Sequence, residues 1–308
     1  MKSRKESIVF IGSGPVATQC LGLLAKNFDI EHIITKPRPP HHKGSVPVIE
    51  LGEELSIPID TVTNKIELDE LIKTKPYQSK LAVLIDFGII VSQAVIDYFP
   101  LGIINSHFSV LPDLRGPDPI TFAILSGQKQ TGVSLMFLVA GMDEGPIAGY
   151  TEQELHKTVT TPELTKTLIY LSDALLTSVI PSIFSGEEES VPQSITKRSV
   201  SYSHKLSKDD GVLDWTKPAA QLEREIRAYI GWPGSRTQLA GRDVIITAAH
   251  VADTLKLKVS AVKIENKQLY VGTSTTCLAI DRVKPAGKSE MDITAFISGY
   301  GSKVQENN

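Results

Sequence analysis

The sequence predicts an α/β protein with a doubly wound, mostly parallel sheet in its first half and a small OB-like β-barrel in its second. Two observations predict the first half: buried apolar runs of strand length recur, and a helical pattern follows most of them. Beyond position 204, short runs separated by turn residues predict the barrel. A polar break begins at Gly186. We therefore expect a first domain at 1–186, a linker at 187–204 and a second domain at 205–308.

The composition is that of an ordinary globular protein. The chain has 308 residues, of which 41% are hydrophobic and 22% are charged, with a net charge of −3. No uninterrupted apolar run approaches the ~20 residues that span a bilayer, so no membrane association is expected. Cys20 and Cys277 lie far apart, without the spacing of metal ligands. Such cysteines suit a reducing compartment, and we expect a cytoplasmic monomer.

The two halves differ in charge. Residues 1–186 hold 15 Lys and Arg against 20 Asp and Glu, whereas residues 205–308 hold 15 against 12. A mildly basic second half could approach a polyanion. An ordinary solvated surface explains such a small excess equally well.

Apolar periodicity and breaker residues place the elements along the chain. In the first half, strands are expected at 7–11, 30–34, 59–62, 81–86, 101–104 and 133–139. Helices are expected up to about 26, at 48–55, 65–73 and 92–98, from 119, and at 162–184. In the second half, a helix is expected at 219–229 and strands at 243–249, 257–264, 268–272 and 277–282. The barrel core is expected to include Trp215, Trp232 and Tyr300.

The turn after the first strand, Gly12–Ala17, resembles a dinucleotide-binding fingerprint. The next strand ends at Thr35-Lys36, without the acidic residue that would hold an NAD ribose. Lys36 and Arg38 leave NADP open, but Pro15 stands where the backbone would approach a pyrophosphate. We interpret the segment as a tight turn and keep an NADP-dependent oxidoreductase as an alternative.

Three reactive side chains fall within one window of the chain. Asn105 and His107 follow an apolar run at the spacing of one strand face, and Asp143 follows a later apolar run. The second strand is expected to deliver Asp143 to the same sheet edge, where such folds collect ligands. An amide donor, an imidazole and a carboxylate are the groups that acyl transfer to an amine requires. Each residue alone would more often be structural, but their combination favours a catalytic site.

The same window resembles the folate-dependent formyltransferases. It carries Asn105-x-His107, then Ser109-Val110-Leu111-Pro112-x-x-Arg115-Gly116, and finally Asp143. The resemblance implies 10-formyltetrahydrofolate as the formyl donor, no metal, and Asn105, His107 and Asp143 as the catalytic residues. It also implies a set of donor-binding residues: Ser109, Val110, Leu111, Pro112, Ile85, Phe87, Gly88 and Ile89. Asp86 departs from the small residue that is usual in this family.

The second half resembles the C-terminal domain of the methionyl-tRNA formyltransferases. The matching segments are Lys205-Leu-Ser-Lys208, Asp214-Trp215, Gln221–Arg224, Trp232-Pro233 and the ending through Phe296–Tyr300. The resemblance implies that initiator methionyl-tRNA is the acceptor. Candidate tRNA contacts are Arg38, Lys43, Arg115, Lys205 and Lys208.

Residues 36–47, which contain four prolines, lack the basic Gly-Arg-Gly-Lys-Lys pattern common in that loop of the family. Selectivity for tRNA is therefore open. A sugar-amine formyltransferase that uses the same donor remains the main alternative. A tRNA-binding relative that has lost catalysis is a further one, which the intact trio disfavours.

Overall fold

Strands of the first half assemble into one seven-stranded sheet in the computed structural model, which describes residues 5–38, 44 and 46–305. The strands are β1 (Ser7–Gly12), β2 (Asp29–Thr35), β3 (Ile59–Thr61), β4 (Leu81–Ile85), β5 (Ile103–His107), β6 (Gln130–Phe137) and β7 (Ile147–Glu154). Their order is β3-β2-β1-β4-β5-β6-β7. Strands β1 to β5 pair in parallel, whereas β6 and β7 are antiparallel. The predicted mostly parallel sheet is confirmed.

Helices connect these strands where the sequence predicts them. They are α1 (Gly14–Asn27), α2 (Pro47–Glu54), α3 (Lys65–Thr74), α4 (Gln93–Tyr98), α5 (Pro119–Leu125) and α6 (Thr161–Ser185). Local chemistry fixes several starts, because Asn64 caps α3 by accepting from the Glu67 N–H and Ser92 caps α4 by accepting from the Val95 N–H. The predicted helix bounds agree to within two residues.

The direction of β6 makes one expectation wrong. Phe137 at the end of β6 pairs with Ile104 near the start of β5, so β6 runs antiparallel to β5. A parallel strand therefore does not deliver Asp143 to the site, and the segment 138–146 turns back instead. Gly145 permits this turn, since a Cβ there would collide with the Phe137 carbonyl oxygen.

The turn between β1 and α1 is tightly packed. A Cβ on Gly12 would lie 2.6 Å from the Ile85 carbonyl oxygen, and Gly14 adopts a φ of +87°. The Ser13 hydroxyl donates to the Asp86 carbonyl at 3.1 Å, which fastens the turn to the end of β4. These contacts support a strand-to-helix turn rather than a pyrophosphate site.

Helix α6 packs one face on the sheet. Leu168, Leu176 and Ile180 are buried, and Ser172 is hydrogen-bonded to Ser106 of β5 at 2.7 Å. Among the described residues, α6 is the one helix whose 25-residue length and composition would allow it to cross a membrane. The helix itself was predicted at 162–184, but polar residues interrupt its apolar stretches, so the sequence shows no uninterrupted apolar run of spanning length there.

The described residues form two compact units. Unit 1 comprises the residues up to 119 together with 130–154 and 165–204, and unit 2 comprises 120–129, 155–164 and the residues from 205 onward. Unit 2 thus includes two short pieces of the first half, which the predicted division into contiguous domains does not contain.

Unit 2 is built on a six-stranded antiparallel sheet. Its strands are β8 (Ser235–Leu239), β9 (Arg242–Ala252), β10 (Val262–Glu265), β11 (Gln268–Gly272), β12 (Cys277–Pro285) and β13 (Met291–Asp292), with helices α7 (Ala219–Ala228) and α8 (Ile293–Gln305). The sheet order is β10-β11-β12-β9-β8, and β13 pairs with β12. Sequence reasoning missed β8, β13 and α8. The polar sequence of β8 conceals its register, and α8 contains Gly299 and Gly301.

The prediction for the three aromatic residues of unit 2 is wrong for one of them. Trp215 and Tyr300 pack against the core cluster of unit 2. Trp232 is 58% exposed. It lies in the loop after α7, between Gly231 at a φ of +90° and Pro233, and this loop turns it away from the core.

Gly132→Ala should lower the melting temperature by about 5–10 °C, because overpacking costs ~1–3 kcal/mol and each kcal/mol shifts the transition by about 2–4 °C. The added Cβ would collide with the Thr151 carbonyl oxygen of β7 and lie 2.7 Å from Val110. Calorimetry provides the measurement. The control is Gly22→Ala in α1, whose Cβ would make an ordinary 3.5 Å contact with Leu51. Equal losses for both variants would contradict the packing argument.

Candidate active site

Asn105 and His107 lie on one face of β5. Alternation along the strand places both side chains on that face, while Ser106 faces α6. Only 7% of Asn105 and 6% of His107 is exposed. The shared face agrees with the prediction, although both residues lie within the strand rather than after its end.

Asp143 completes the group from the segment that follows β6. Its Oδ1 is 3.4 Å from Asn105 Nδ2, and its Oδ2 is 3.7 Å from His107 Nδ1. The Gly116 N–H donates to Oδ2 at 2.7 Å. Asp143 has a φ of +51°, a left-handed conformation that costs on the order of 1 kcal/mol or more and needs such contacts to persist.

The Leu114 carbonyl oxygen fixes the tautomer of His107. It lies 2.9 Å from His107 Nε2, and because a carbonyl only accepts, Nε2 carries the proton. Nδ1 faces Asp143 at a distance longer than a hydrogen bond, so this nitrogen is available to a reactant. Leu114 itself is held at a φ of +54°.

The predicted donor-binding segment Ser109–Pro112 supports the site from within the protein. Ser109 and Leu111 are each 1% exposed and Val110 is 4% exposed. Ser134 of β6 donates to the Ser109 carbonyl at 2.8 Å and accepts from the Leu111 N–H at 2.9 Å. A cis peptide bond joins Leu111 to Pro112. These side chains therefore shape the loop, and few of their atoms face solvent.

The second predicted donor-binding segment follows β4. Ile85 and Phe87 are buried in the core, Gly88 is exposed, and Ile89 is half-buried. Ile90, the next residue of the chain, is 76% exposed. Gly88 to Ile90 thus offer apolar surface at the carboxyl edge of the sheet, where a flat ring could pack.

Asp86 introduces a carboxylate at the same edge. Its φ is +49°, and its Oδ2 would lie 3.3 Å from a Cβ placed on Gly14. Although the residue as a whole is exposed, protein atoms crowd the carboxyl group. This desolvation is the main cause that raises the pKa of Asp86 to about 6. The charge of Lys36 lowers this pKa, and the charge of Asp118 raises it.

Of the five candidate tRNA contacts, three are exposed, one lies outside the described residues, and one is buried. Arg38 is exposed and donates to the Gly44 carbonyl at 3.1 Å. Lys205 and Lys208 are exposed on unit 2. Lys43 lies outside the described residues.

Arg115, the fifth candidate, is only 8% exposed. Its Nε and Nη2 donate to Gln193 Oε1 at 3.2 and 2.7 Å, and its Nη1 pairs with Glu144 at 3.0 Å. A phosphate contact does not fit this placement, because the guanidinium is buried and already hydrogen-bonded.

Sequence reasoning missed Gln193, which lies in the predicted linker. It is 5% exposed, and its Nε2 donates to the carbonyls of Asp143 at 2.8 Å and Gly145 at 2.9 Å. A single glutamine in a polar stretch has no periodicity or motif that would have identified it.

The arrangement suits acyl transfer. Asn105 supplies N–H donors, His107 supplies a ring nitrogen, and Asp143 supplies a carboxylate beside both. Among the residues that the structure describes, no three His, Cys, Asp or Glu side chains form a metal-binding group.

Comparisons with known proteins agree with this chemistry. Residues 43–180 match the family model "Formyl transferase", and residues 205–301 match "Formyl transferase, C-terminal domain". A methionyl-tRNA formyltransferase of Bacillus licheniformis is 30% identical over 96% of this chain and 95% of its own length.

Two solved structures show the same fold. An N-formyltransferase from Helicobacter canadensis, in complex with folinic acid and dTDP-3-aminofucose, has a TM-score of 0.68 at 17% identity over 89% of this chain and 98% of its own. HypX from Aquifex aeolicus in complex with tetrahydrofolic acid has a TM-score of 0.65 at 14% identity over 97% of this chain. The chain spans 48% of the length of HypX.

The raised pKa of Asp86 predicts a pH-dependent stability. The folded carboxyl group binds its proton up to about pH 6, whereas an unfolded aspartate releases it near its ordinary value of 3.8. The contribution of Asp86 to stability should therefore fall as pH rises from about 4 to 6. Asp86→Asn should remove this loss, because asparagine does not ionise and also tolerates a left-handed conformation. The melting temperature of the variant should therefore exceed that of the wild type at pH 7 and not at pH 4. Thermal melts across pH test this, and a constant difference would contradict it.

Proposed function

The chain belongs to the methionyl-tRNA formyltransferase family, and on that premise we propose that Asn105, His107 and Asp143 carry its chemistry. The enzyme transfers the formyl group of 10-formyltetrahydrofolate to the α-amino group of methionyl initiator tRNA. The approach of one Asp143 carboxylate to both Asn105 and His107 is the observation that best supports the assignment of these residues.

The reaction exchanges one C–N bond for another. The neutral α-amine attacks the formyl carbon, and negative charge develops on the formyl oxygen. Collapse of this intermediate breaks the bond between the formyl carbon and N10, which leaves as an amine after receiving a proton. The net proton transfer is from the attacking amine to N10 of the folate.

Each side chain has a distinct role in this scheme. Asn105 donates a hydrogen bond to the developing oxyanion, which stabilises it by ~3–4 kcal/mol. Protonated His107 donates from Nδ1, because Nε2 is committed to the Leu114 carbonyl. Asp143 stabilises the imidazolium by its negative charge and relays the proton of the amine.

Donor and acceptor are assigned to different parts of the chain. We assign the catalytic domain to residues 1–186, of which 120–129 and 155–164 cluster with unit 2. Within the proposed folate-binding segments, Gly88 and Ile89 of Ile85–Ile89 offer accessible surface to the folate, and the buried segment Ser109–Pro112 shapes the adjoining loop. Residues 205–308 form the tRNA-binding domain, with Lys205 and Lys208 exposed for phosphate contacts. Residues 187–204, predicted as a linker, follow the catalytic domain in the chain and belong to unit 1. The protein acts as a monomer in the cytoplasm.

A sugar-amine formyltransferase is the second candidate. The folate-bound Helicobacter canadensis enzyme has the same fold, and the 36–47 loop of this chain lacks the basic pattern common in the tRNA-acting family. One assay distinguishes the candidates: labelled formyl transfer from 10-formyltetrahydrofolate to charged initiator tRNA, or to dTDP-3-aminofucose. Transfer to the sugar alone would overturn the tRNA assignment.

Asn105→Ala, His107→Ala and Asp143→Asn should each lower turnover by at least ~100-fold, because each removes a group that acts mainly in the transition state. Asp143→Asn should retain affinity for the folate donor, measured by calorimetric titration. A residue whose variant keeps near-normal turnover is not part of the mechanism. Donor affinity that falls in step with turnover would show that Asp143 is structural.

Lys205→Gln/Lys208→Gln should raise KM for charged tRNA. It should also reduce the slope of log K against log[salt] by about 1–2, because binding releases fewer counterions when phosphate contacts are lost. Donor KM should stay unchanged. Lys80→Gln is the matched control, since Lys80 is an exposed lysine that precedes β4 in unit 1. An unchanged salt slope for the double variant would remove these lysines from the tRNA contact.

A further inference from the structure

The segment 191–203, which we name the strap, contacts two segments of the candidate site: the turn that carries Asp143 and the loop that carries Leu114 and Arg115. Val191 exchanges two backbone hydrogen bonds with Ile147, at 2.8 and 2.9 Å, just after the Asp143 turn. Farther along, the Arg115 N–H donates to the Ser201 carbonyl at 2.9 Å, and the Ser203 N–H donates to the Arg115 carbonyl at 2.7 Å. The strap thus pairs with the start of β7 near one of its ends and with the loop that carries Arg115 near the other.

Gln193 is the first anchor of the strap. Its Oε1 accepts two N–H groups of Arg115, and its Nε2 donates to the carbonyls of Asp143 and Gly145. The amide therefore uses both of its donors and accepts twice, and it is buried. Since Asp143 holds a left-handed conformation, the bond to its carbonyl helps to fix where its carboxylate points.

Ser201 is the second anchor. Its Oγ accepts from the Leu114 N–H at 2.8 Å and donates to the Asp113 carboxylate. The carbonyl of the same Leu114 accepts from His107 Nε2. Ser201 therefore acts on the group that fixes the orientation and tautomer of His107, while Gln193 acts on Asp143.

We propose that the strap is part of the active site, with Gln193 as a positioning residue for Asp143 and Ser201 as a positioning residue for His107. The inference rests on the proposed roles of Asp143 and His107. Neither anchor touches a reactant. Each holds a strained backbone position, and a displacement of about 1 Å in such a site can cost ~100-fold in rate.

Gln193 can be tested through its coupling to Asp143 in the full-length enzyme. Gln193→Met keeps the length of the side chain and loses all its hydrogen bonds. Gln193→Glu keeps the acceptor for Arg115 and loses both donors to the Asp143 turn. Both variants should lower kcat by ~10–100-fold with the donor KM within ~2-fold. Ser194→Ala, an exposed neighbour, should leave kcat unchanged.

The decisive measurement is a double-mutant cycle. Because Gln193 acts through the Asp143 carboxylate, adding Gln193→Met to Asp143→Asn should slow turnover by no more than about 2-fold beyond Asp143→Asn alone. Multiplication of the two separate losses would overturn the proposal, since it would show an effect independent of Asp143. Wild-type kcat for Gln193→Met would also overturn it.

Ser201 offers an independent route if Gln193→Met does not fold. Ser201→Ala should lower kcat and should add no more than about 2-fold to His107→Ala, whereas multiplied losses would contradict its role. Failure of the proposed function would look different: the wild type would not formylate methionyl-tRNA, or Asp143→Asn and His107→Ala would retain normal turnover.

Discussion

The candidate site depends on a turn that returns the Asp143 carboxylate to β5, because the neighbouring strand β6 is antiparallel to β5. Because β6 is antiparallel to β5, the chain leaves β6 near the start of β5 and must return before Asp143 can reach Asn105 and His107. The return requires a glycine at 145 and a left-handed residue at 143. Such a turn is strained, so other parts of the chain hold it through Gly116, Arg115 and Gln193. The antiparallel pairing thus explains why so many hydrogen bonds converge on a short loop.

Most of unit 1 could be predicted from local signals. Apolar runs marked the buried parallel strands, and apolar periodicity with breaker residues marked the helices. Strand direction could not be predicted, because an apolar run of the same composition serves either orientation. In unit 2 the signals were weaker. Strand β8 is mostly polar, with Ser235 and Leu239 buried and Gln238 exposed, so no apolar run marks it. Trp232 is exposed because of the loop in which it lies, although tryptophan is buried in most proteins.

Site residues that are close in the sequence could be predicted, whereas contacts between residues far apart in the sequence could not. Asn105 and His107 are two residues apart, so strand alternation was enough to pair them, and the motif supplied Asp143. Arg115 belongs to the same motif, but its placement depends on Gln193, 78 positions away, which no local pattern connects to it. A basic residue in a loop suggests contact with an anion, whereas burial and two internal partners give Arg115 a structural position. Residues that organise a site over long sequence distances are those that motifs reveal least.

Unit 2 is assembled from three separated segments of the chain, and this has a consequence for folding during synthesis. Residues 120–129 and 155–164 leave the ribosome well before Lys205, yet their partners are later in the chain. The carbonyls of Leu125 and Val159 accept from Arg224 and Arg227, which do not yet exist when those two pieces emerge. A nascent first half therefore carries two segments that cannot reach their final hydrogen bonds until α7 is synthesised. Unit 2 can complete its folding only late in translation, after α7 has been synthesised.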